Sequence, residues 1–250
     1  MTKAYKNTAE QATPSKRIRL NKLISNAGVC ARRVADTLIQ TGQITVNGKL
    51  ITTLGYQVTP QDVVQYQGQV LQTRKPVHIL LNKPKDYITT NQDPQGRKTV
   101  GQLVKHACPE RIYPVGRLDR KTTGLLLLTN DGALAKKLAH PASNVKKLYH
   151  VVLDKPLSEA DCERVKAGIA LEDGIAHVDQ LEVAAQDRRS IGLELHMGRN
   201  RVIRRIFEQL DYEVVTLDRV MYAHLTKKNL PRGKWRFLTP HEVERLKYLH

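Results

Sequence analysis

The sequence predicts an α+β chain of two domains, a small one followed by a larger one, on three observations. The N-terminal third carries two short helical patterns and then an Asn-Gly hairpin signal. Charge and proline at Arg74-Lys75-Pro76 interrupt the apolar alternation. Beyond that break, apolar strands alternate with amphipathic helices to the end of the 250 residues. That length suffices for a small core joined to a medium one.

Composition narrows the class of partner. Lys and Arg number 41 against 24 Asp and Glu, a net charge of +17, which favours a polyanion: nucleic acid or an acidic membrane surface. No apolar run reaches membrane-spanning length and no signal-peptide pattern opens the chain, so the membrane reading falls back. Cys30, Cys108 and Cys162 are odd in number and far apart, which suggests neither a disulfide framework nor a CxxC metal site. A reducing cytoplasm fits. The nine histidines are scattered without metal-ligand spacing, so no zinc is expected.

Residues 1–16 have almost no large apolar side chain and read as a flexible, weakly basic tail. A helix pattern starts at Ser15, with Leu20, Leu23, Ile24 and Ala27 inward, Lys16, Arg17, Arg19 and Lys22 outward, and Gly28 as a stop. A second helix buries Val34, Ala35, Leu38 and Ile39, carries Arg32 and Arg33 in its first turn, and ends at Thr41-Gly42. Ile44 to Ile51 reads as a hairpin turning at Asn47-Gly48. Strands near Tyr56 to Val58 and Val63 to Tyr66 complete the unit by Lys75. Residues 1–75 hold 11 Lys and Arg against 3 Asp and Glu, so the positive charge is front-loaded and scarcely diluted by acids. That pattern suits phosphate contacts. Arg-Leu-Asn-Lys-Leu-Ile-Ser, then Ala-Arg-Arg, then Gly-Gln-Ile-Thr-Val-Asn-Gly-Lys, resembles the RNA-binding domain named after ribosomal protein S-four, over residues 17–75. The resemblance implies that Arg17, Arg19, Lys22, Arg32, Arg33 and Lys49 line an RNA-facing surface.

The larger domain, 76–250, begins with a buried strand at His78 to Asn82. Asn91 to Lys98 is a loop and Val100 to His106 a short helix. Then comes the stretch from Arg111 to Gly132, which places one acid, Asp119, among cations just before the apolar run Leu125 to Leu128. If Arg117-Leu118-Asp119 is extended, alternation puts Arg117 and Asp119 on one face and Leu118 on the other. A basic helix from Ala133 to His140 stops at Pro141, and Lys146 to Leu153 alternates as a strand. Ser158 to Asp161 is a capping-box-like helix start. After a strand at Leu193 to Met197, a helix buries Val202, Ile203, Ile206, Phe207 and Leu210 and gathers Arg201, Arg204, Arg205 and Glu208 on its polar face. Arginines at a helix N-terminus suit a phosphate or a carboxylate. Trp235 reads as packing, and Glu242 to Tyr248 as a terminal helix.

Gly-Arg-Leu-Asp followed by Thr-Gly-Leu-Leu-Leu-Leu-Thr-Asn-Asp-Gly resembles the catalytic motif of RNA pseudouridine synthases, specifically the ribosomal RsuA/RluB group. The resemblance implies a catalytic domain with a bent, mixed, mostly antiparallel sheet. It implies that Asp119 is the catalytic residue, acting at the ribose as nucleophile or as base. By the same resemblance Tyr149, in the Lys-x-Tyr motif begun by Lys147, stacks on the extruded base, which needs a π-face to replace its lost stacking. Arg204 is implied to pair with the catalytic Asp, with Arg117 assisting, and Arg117, Arg201, Arg205, Lys147 and Leu238 to contact substrate. Lys83 to Ile88 resembles the family's first motif with Asp86 where Gly is expected; Asp tolerates a left-handed backbone, so the turn survives. Met197 and Val202 stand where Glu and Gln are expected. The isomerisation has no net redox or group transfer, so no cofactor or metal is expected. The expected substrate is a uridine of ribosomal RNA, free or in a pre-ribosomal particle, and the closing segment looks more like 23S-type than 16S-type enzymes. A monomer without membrane contact is expected. Rivals are small-subunit RNA or tRNA as substrate, a non-catalytic RNA-binding assembly factor, and a metal-dependent nuclease, which needs several convergent acids.

Overall fold

A computed structural model describes residues 17–72, 74–184 and 186–249. The tail expected at residues 1–16, with the helix start at Ser15, lies outside the described residues. The chain divides into two compact units, Met1–Lys75 and Pro76–His250.

In the first unit β1 (Ile18–Arg19), α1 (Leu20–Asn26) and α2 (Arg32–Gln40) precede β2 (Ile44–Val46), β3 (Lys49–Leu50), β4 (Gln57–Val58), β5 (Val64–Tyr66) and β6 (Gln69–Val70). A four-stranded antiparallel sheet runs β3-β2-β5-β6. Asn47 and Gly48 both take the left-handed conformation, φ 50° and 76°, as the tight Asn-Gly hairpin requires. The core closes around Leu20, Ile24, Ala35, Ile39, Ile44 and Val58. Two details differ from the sequence reading. Ile18 and Arg19 are extended, because Ile18 pairs with Val58 and Arg19 with Gln57. Val34 is exposed, since Ala35 and Ile39 alone of α2 are fully buried.

The second unit opens with β7 (His78–Lys83), α3 (Val100–Leu103), β8 (Tyr113–Pro114), β9 (Thr123–Thr129), α4 (Gly132–Ala139) and β10 (Lys147–Leu153). It continues through α5 (Glu159–Ala167), the hairpin β11 (Ile169–Leu171) and β12 (Gly174–Ala176), then β13 (Gln180–Val183), β14 (Ser190–Leu195) and α6 (Val202–Glu208). β15 (Val214–Tyr222), β16 (Leu225–Thr226), β17 (Trp235–Phe237) and α7 (Pro240–Lys247) complete it. α3 is shorter than the helix expected there, and Thr99 and Gln102 cap it reciprocally.

The large sheet runs β13-β14-β10-β15-β9-β7-β17. Its neighbours are antiparallel except β15 and β9, which are parallel, so the sheet is mixed and mostly antiparallel. β7 and β9 feed both faces. Ile79, Leu81, Leu126 and Leu128 join one core with Val165 of α5 and Ile203 and Phe207 of α6. Leu80, Leu125 and Leu127 join the other with Leu134 and Leu138 of α4 and Leu246 of α7. Burial on both faces is why these strands read as unbroken apolar runs. β9 and β15 approach so closely at Gly124, φ 108°, that a Cβ there would sit 2.2 Å from the Arg219 carbonyl oxygen. Only glycine fits.

Candidate active site

Asp119 sits in the loop that leads from β8 into β9, and the backbone around it is tied down residue by residue. The Thr89 hydroxyl donates to the Leu118 carbonyl at 2.6 Å and accepts from the Leu118 N–H at 3.1 Å. The Thr122 N–H closes a turn onto the Asp119 carbonyl at 3.1 Å. Lys83, at the end of β7 and fully buried, donates to the carbonyls of Thr122 (2.7 Å), Arg120 (3.3 Å) and its neighbour Pro84 (3.1 Å). Leu118 is buried while Arg117 is exposed and Asp119 half-buried, so the side chains alternate as an extended segment should. Such anchoring holds a carboxylate at one place on a loop without using the carboxylate itself.

Opposite this loop, β10 carries Tyr149. Its pairing with β15 shifts register between Leu148 and Tyr149, a bulge of the kind that re-aims a side chain beside a site. A cavity of about 280 Å³ contains Asp119, Tyr149, Arg117, Arg199, Arg201 and Val202 among its lining residues. Asp119 is its one carboxylate, set among arginines, a phenol and apolar wall. Arg201 itself is left-handed, φ 47°, at the start of α6, a strained conformation of the kind that gathers at functional sites.

The arginines of α6 take different partners. Arg205 forms a two-pronged ion pair with Asp173 at 2.9 and 3.0 Å, and Arg201 pairs with Glu208 at 3.2 Å. Arg204 is buried and donates to the Val214 carbonyl at 2.7 Å. Burial lowers its pKa and the positive charge of Arg201 adds to that, while the charge of Asp119 works against both. The expected ion pair is therefore not formed: Arg204 lies within the electrostatic reach of Asp119 with its guanidinium on Val214. Lys83 feels the same carboxylate. Burial brings its pKa down to about 8, opposed first by Asp119 and then by Asp86.

A second, larger cavity of about 700 Å³ shares Gly116, Arg117, Tyr149, Gly198, Arg199 and Val202 with the first. Lys147 lines it, donating to the Val145 carbonyl at 2.9 Å and to the His196 carbonyl. Burial lowers the Lys147 pKa to about 8, helped by the nearby charge of Arg219. Leu238 lines neither cavity. It packs with the core on the α4 and α7 side, its N–H bonded to the His78 carbonyl at 2.9 Å. Among the described residues no three His, Cys, Asp or Glu side chains converge as a metal site would require, and no helix is long and apolar enough to cross a membrane.

Comparison with known proteins decides what family this geometry belongs to. Residues 77–209 match the family model described as RNA pseudouridylate synthase, and residues 18–64 match the S4 domain. The chain is 43% identical to ribosomal large subunit pseudouridine synthase B of Bacillus subtilis, covering 92% of this chain and 96% of that one. The chain belongs to the RNA pseudouridine synthase family. It is also 36% identical to the dual-specificity RNA pseudouridine synthase RluF of Escherichia coli K12, over 92% of this chain and 78% of the relative. A crystal structure of a pseudouridylate synthase superposes with a TM-score of 0.65 at 26% identity, covering 92% of this chain and 99% of that one.

Of the residues singled out in the sequence, the synthase brings Asp119, Tyr149, Arg117 and Arg201 to one cavity and Lys147 to the cavity beside it. It separates Leu238 from both and commits Arg205 to Asp173. Met197 lines the larger cavity and Val202 both, so the two departures from the family pattern place apolar surface there. Asp86 is left-handed, φ 69°, and its carboxylate lies 3.3 Å from Arg120, so the turn survives without glycine. Arg17, Arg19, Arg32, Arg33 and Lys49 are exposed and Lys22 half-buried in the first unit. Sequence reasoning passed over Lys83 and Arg219. Each had a signal: a lysine closing an apolar strand before proline, and an arginine within the apolar alternation of Leu217 to Tyr222.

Proposed function

We propose that the synthase isomerises a uridine of large-subunit ribosomal RNA with Asp119 as the catalytic carboxylate. The observation that carries this is the cavity in which the one carboxylate, held by a loop tied at Leu118, Arg120 and Thr122, shares its space with Tyr149. The large-subunit name of the Bacillus subtilis relative, matched over nearly the whole chain, supports the choice of RNA. In this reading the first unit, residues 17–75, holds RNA through Arg17, Arg19, Lys22, Arg32, Arg33 and Lys49, and residues 76–250 do the chemistry. Free or pre-ribosomal RNA as substrate puts the synthase to work in the cytoplasm.

The reaction breaks the N1–C1′ bond of uridine, turns the base and joins C5 to C1′; the C5 proton is lost and N1 gains one. Atoms and electrons balance within the nucleotide. Asp119 acts at the ribose, on C1′ as nucleophile or on the 2′ hydrogen as base. Tyr149 offers the flipped base a stacking face, and its phenol helps to move the C5 proton. Arg117 and Arg201 draw the phosphodiester toward the cavity. Arg204 and Lys83 surround Asp119 with positive charge from the buried side.

A pseudouridine map of ribosomal RNA from cells lacking the protein tests this, with wild type and Asp119→Asn restored separately. One large-subunit site lost, regained with wild type and absent with Asp119→Asn, is the expected result. A site that returns with both chains would remove Asp119 from the chemistry. A lost site in small-subunit RNA or tRNA would overturn the choice of substrate.

A further inference from the structure

The larger cavity carries positive charge that the protein itself leaves unneutralised. Arg219 on β15 is 3% exposed, and it lines this cavity. Its Nε donates to the Leu125 carbonyl at 2.8 Å, its guanidinium lies 4.8 Å over the Tyr222 ring, and its buried Nη2 has no acceptor among the described residues. Lys147 on β10 keeps one of its three N–H groups beyond the bonds to Val145 and His196.

The carboxylates that could neutralise this pair are committed elsewhere. Asp218, next to Arg219 in sequence, is bound by Arg232 at 2.8 Å, by Lys227 and by the Thr123 hydroxyl at 2.8 Å. Asp179 is 2.8 Å from His196, and Glu194 is 2.8 Å from Lys146. A buried arginine and a half-buried lysine, neither held in an ion pair among the described residues, are costly to keep together, and a fold that keeps them has a use for an anion at that place.

We propose that this cavity is a phosphate subsite, in which Lys147 and Arg219 take the phosphodiester flanking the nucleotide stacked on Tyr149. The proposal rests on the reading of the Asp119 cavity as the uridine site. A base is neutral and would leave both charges uncompensated, whereas each phosphodiester of RNA brings one negative charge. Lys147 has an N–H left for a phosphate oxygen, and the guanidinium of Arg219 on the same wall adds its charge. Tyr149 and Arg117 line both cavities, so a phosphate here belongs to the nucleotide at Asp119 or to its immediate neighbour.

Titration calorimetry of the full chain with uridine, uridine 5′-monophosphate and uridine 3′-monophosphate tests the subsite. Wild type and Asp119→Asn are expected to bind one monophosphate about tenfold more tightly than uridine or better, the worth of one charge-assisted hydrogen bond. In Lys147→Gln and Arg219→Gln the advantage falls to about twofold or less, and inorganic phosphate competes for it in wild type. Equal affinity for uridine and both monophosphates in wild type would overturn the proposal. So would a full advantage retained in Lys147→Gln, which would place the phosphate on surface charge. Arg219→Gln gives up the bond to Leu125; if that chain fails to fold, Lys147→Gln decides alone. The two readings separate in Asp119→Asn. Isomerisation retained there with the phosphate preference intact sinks the role of Asp119 and leaves the subsite, and loss of isomerisation without any preference does the reverse.

Discussion

Replacing Lys83 by methionine removes the ammonium that ties the Asp119 loop to β7 while keeping the length of the side chain. Its consequence for stability depends on pH in a way the structure fixes. The folded protein holds Lys83 at a pKa of about 8, against 10.5 for the free side chain. Between those values the unfolded chain binds more protons than the folded one, so stability rises with pH. The burden of keeping Lys83 charged is about 3 kcal/mol at pH 7 and falls to about 1 kcal/mol at pH 10. Wild type is therefore expected to gain about 2 kcal/mol on Lys83→Met over that interval. Urea unfolding of both chains at pH 7 and pH 10 measures the difference directly, because every other titrating group is common to the two. Parallel pH profiles would refute the burial argument. The same variant leaves the carbonyls of Arg120 and Thr122 without that donor, so kcat is expected to fall about tenfold or more with little change in KM.

Gly124→Ala puts a Cβ within 2.5 Å of the Arg219 backbone at φ 108°, and is expected to cost about 3 kcal/mol or more or to prevent folding, read as the shift in Tm. Asp119→Asn keeps every backbone tie of its loop, so its Tm and RNA affinity should stay near wild type while isomerisation is lost; an unfolded variant would refute the separation of roles. RNA affinity should fall steeply with salt, and Arg32→Gln with Arg33→Gln should reduce the slope of log K against log salt by about 0.7 to 0.9 for each phosphate these side chains neutralise. An unchanged slope would take these two arginines off the RNA surface.

How much of this could be read from the sequence depended on whether a residue's fate was local. Asn47-Gly48, Gly28 and Ser158 act within a few residues of themselves, and each stands where the pattern put it. The apolar runs at His78 to Asn82 and Leu125 to Leu128 were legible because burial on both faces leaves no polar position to confuse the period. The errors are tertiary. Ile18 and Arg19 continue a helical period, but a partner some forty residues away, at Gln57 and Val58, holds them extended. Arg204 shares a polar arc with Arg201 and Arg205, yet α6 is packed around more of its circumference than its apolar residues reveal, and the guanidinium is drawn inside to Val214. Lys83 and Arg219 lay in apolar stretches, where a single cation reads as an interruption until the carbonyls that receive it are in view.

The order in which the large sheet can be assembled is set by its edge. β7, the first strand of the second unit, pairs with β17, and Asn82 donates to the Leu230 carbonyl across 148 residues of chain. Lys83, the anchor of the Asp119 loop, is the last residue of that same strand. During synthesis β7 emerges long before β17, so this edge stays open until β17 has been made. A nascent chain can thus present its basic N-terminal unit to RNA while the sheet that steadies Asp119 is still incomplete. On the proposed reading, the RNA-holding surface is complete before the pocket around Asp119 is.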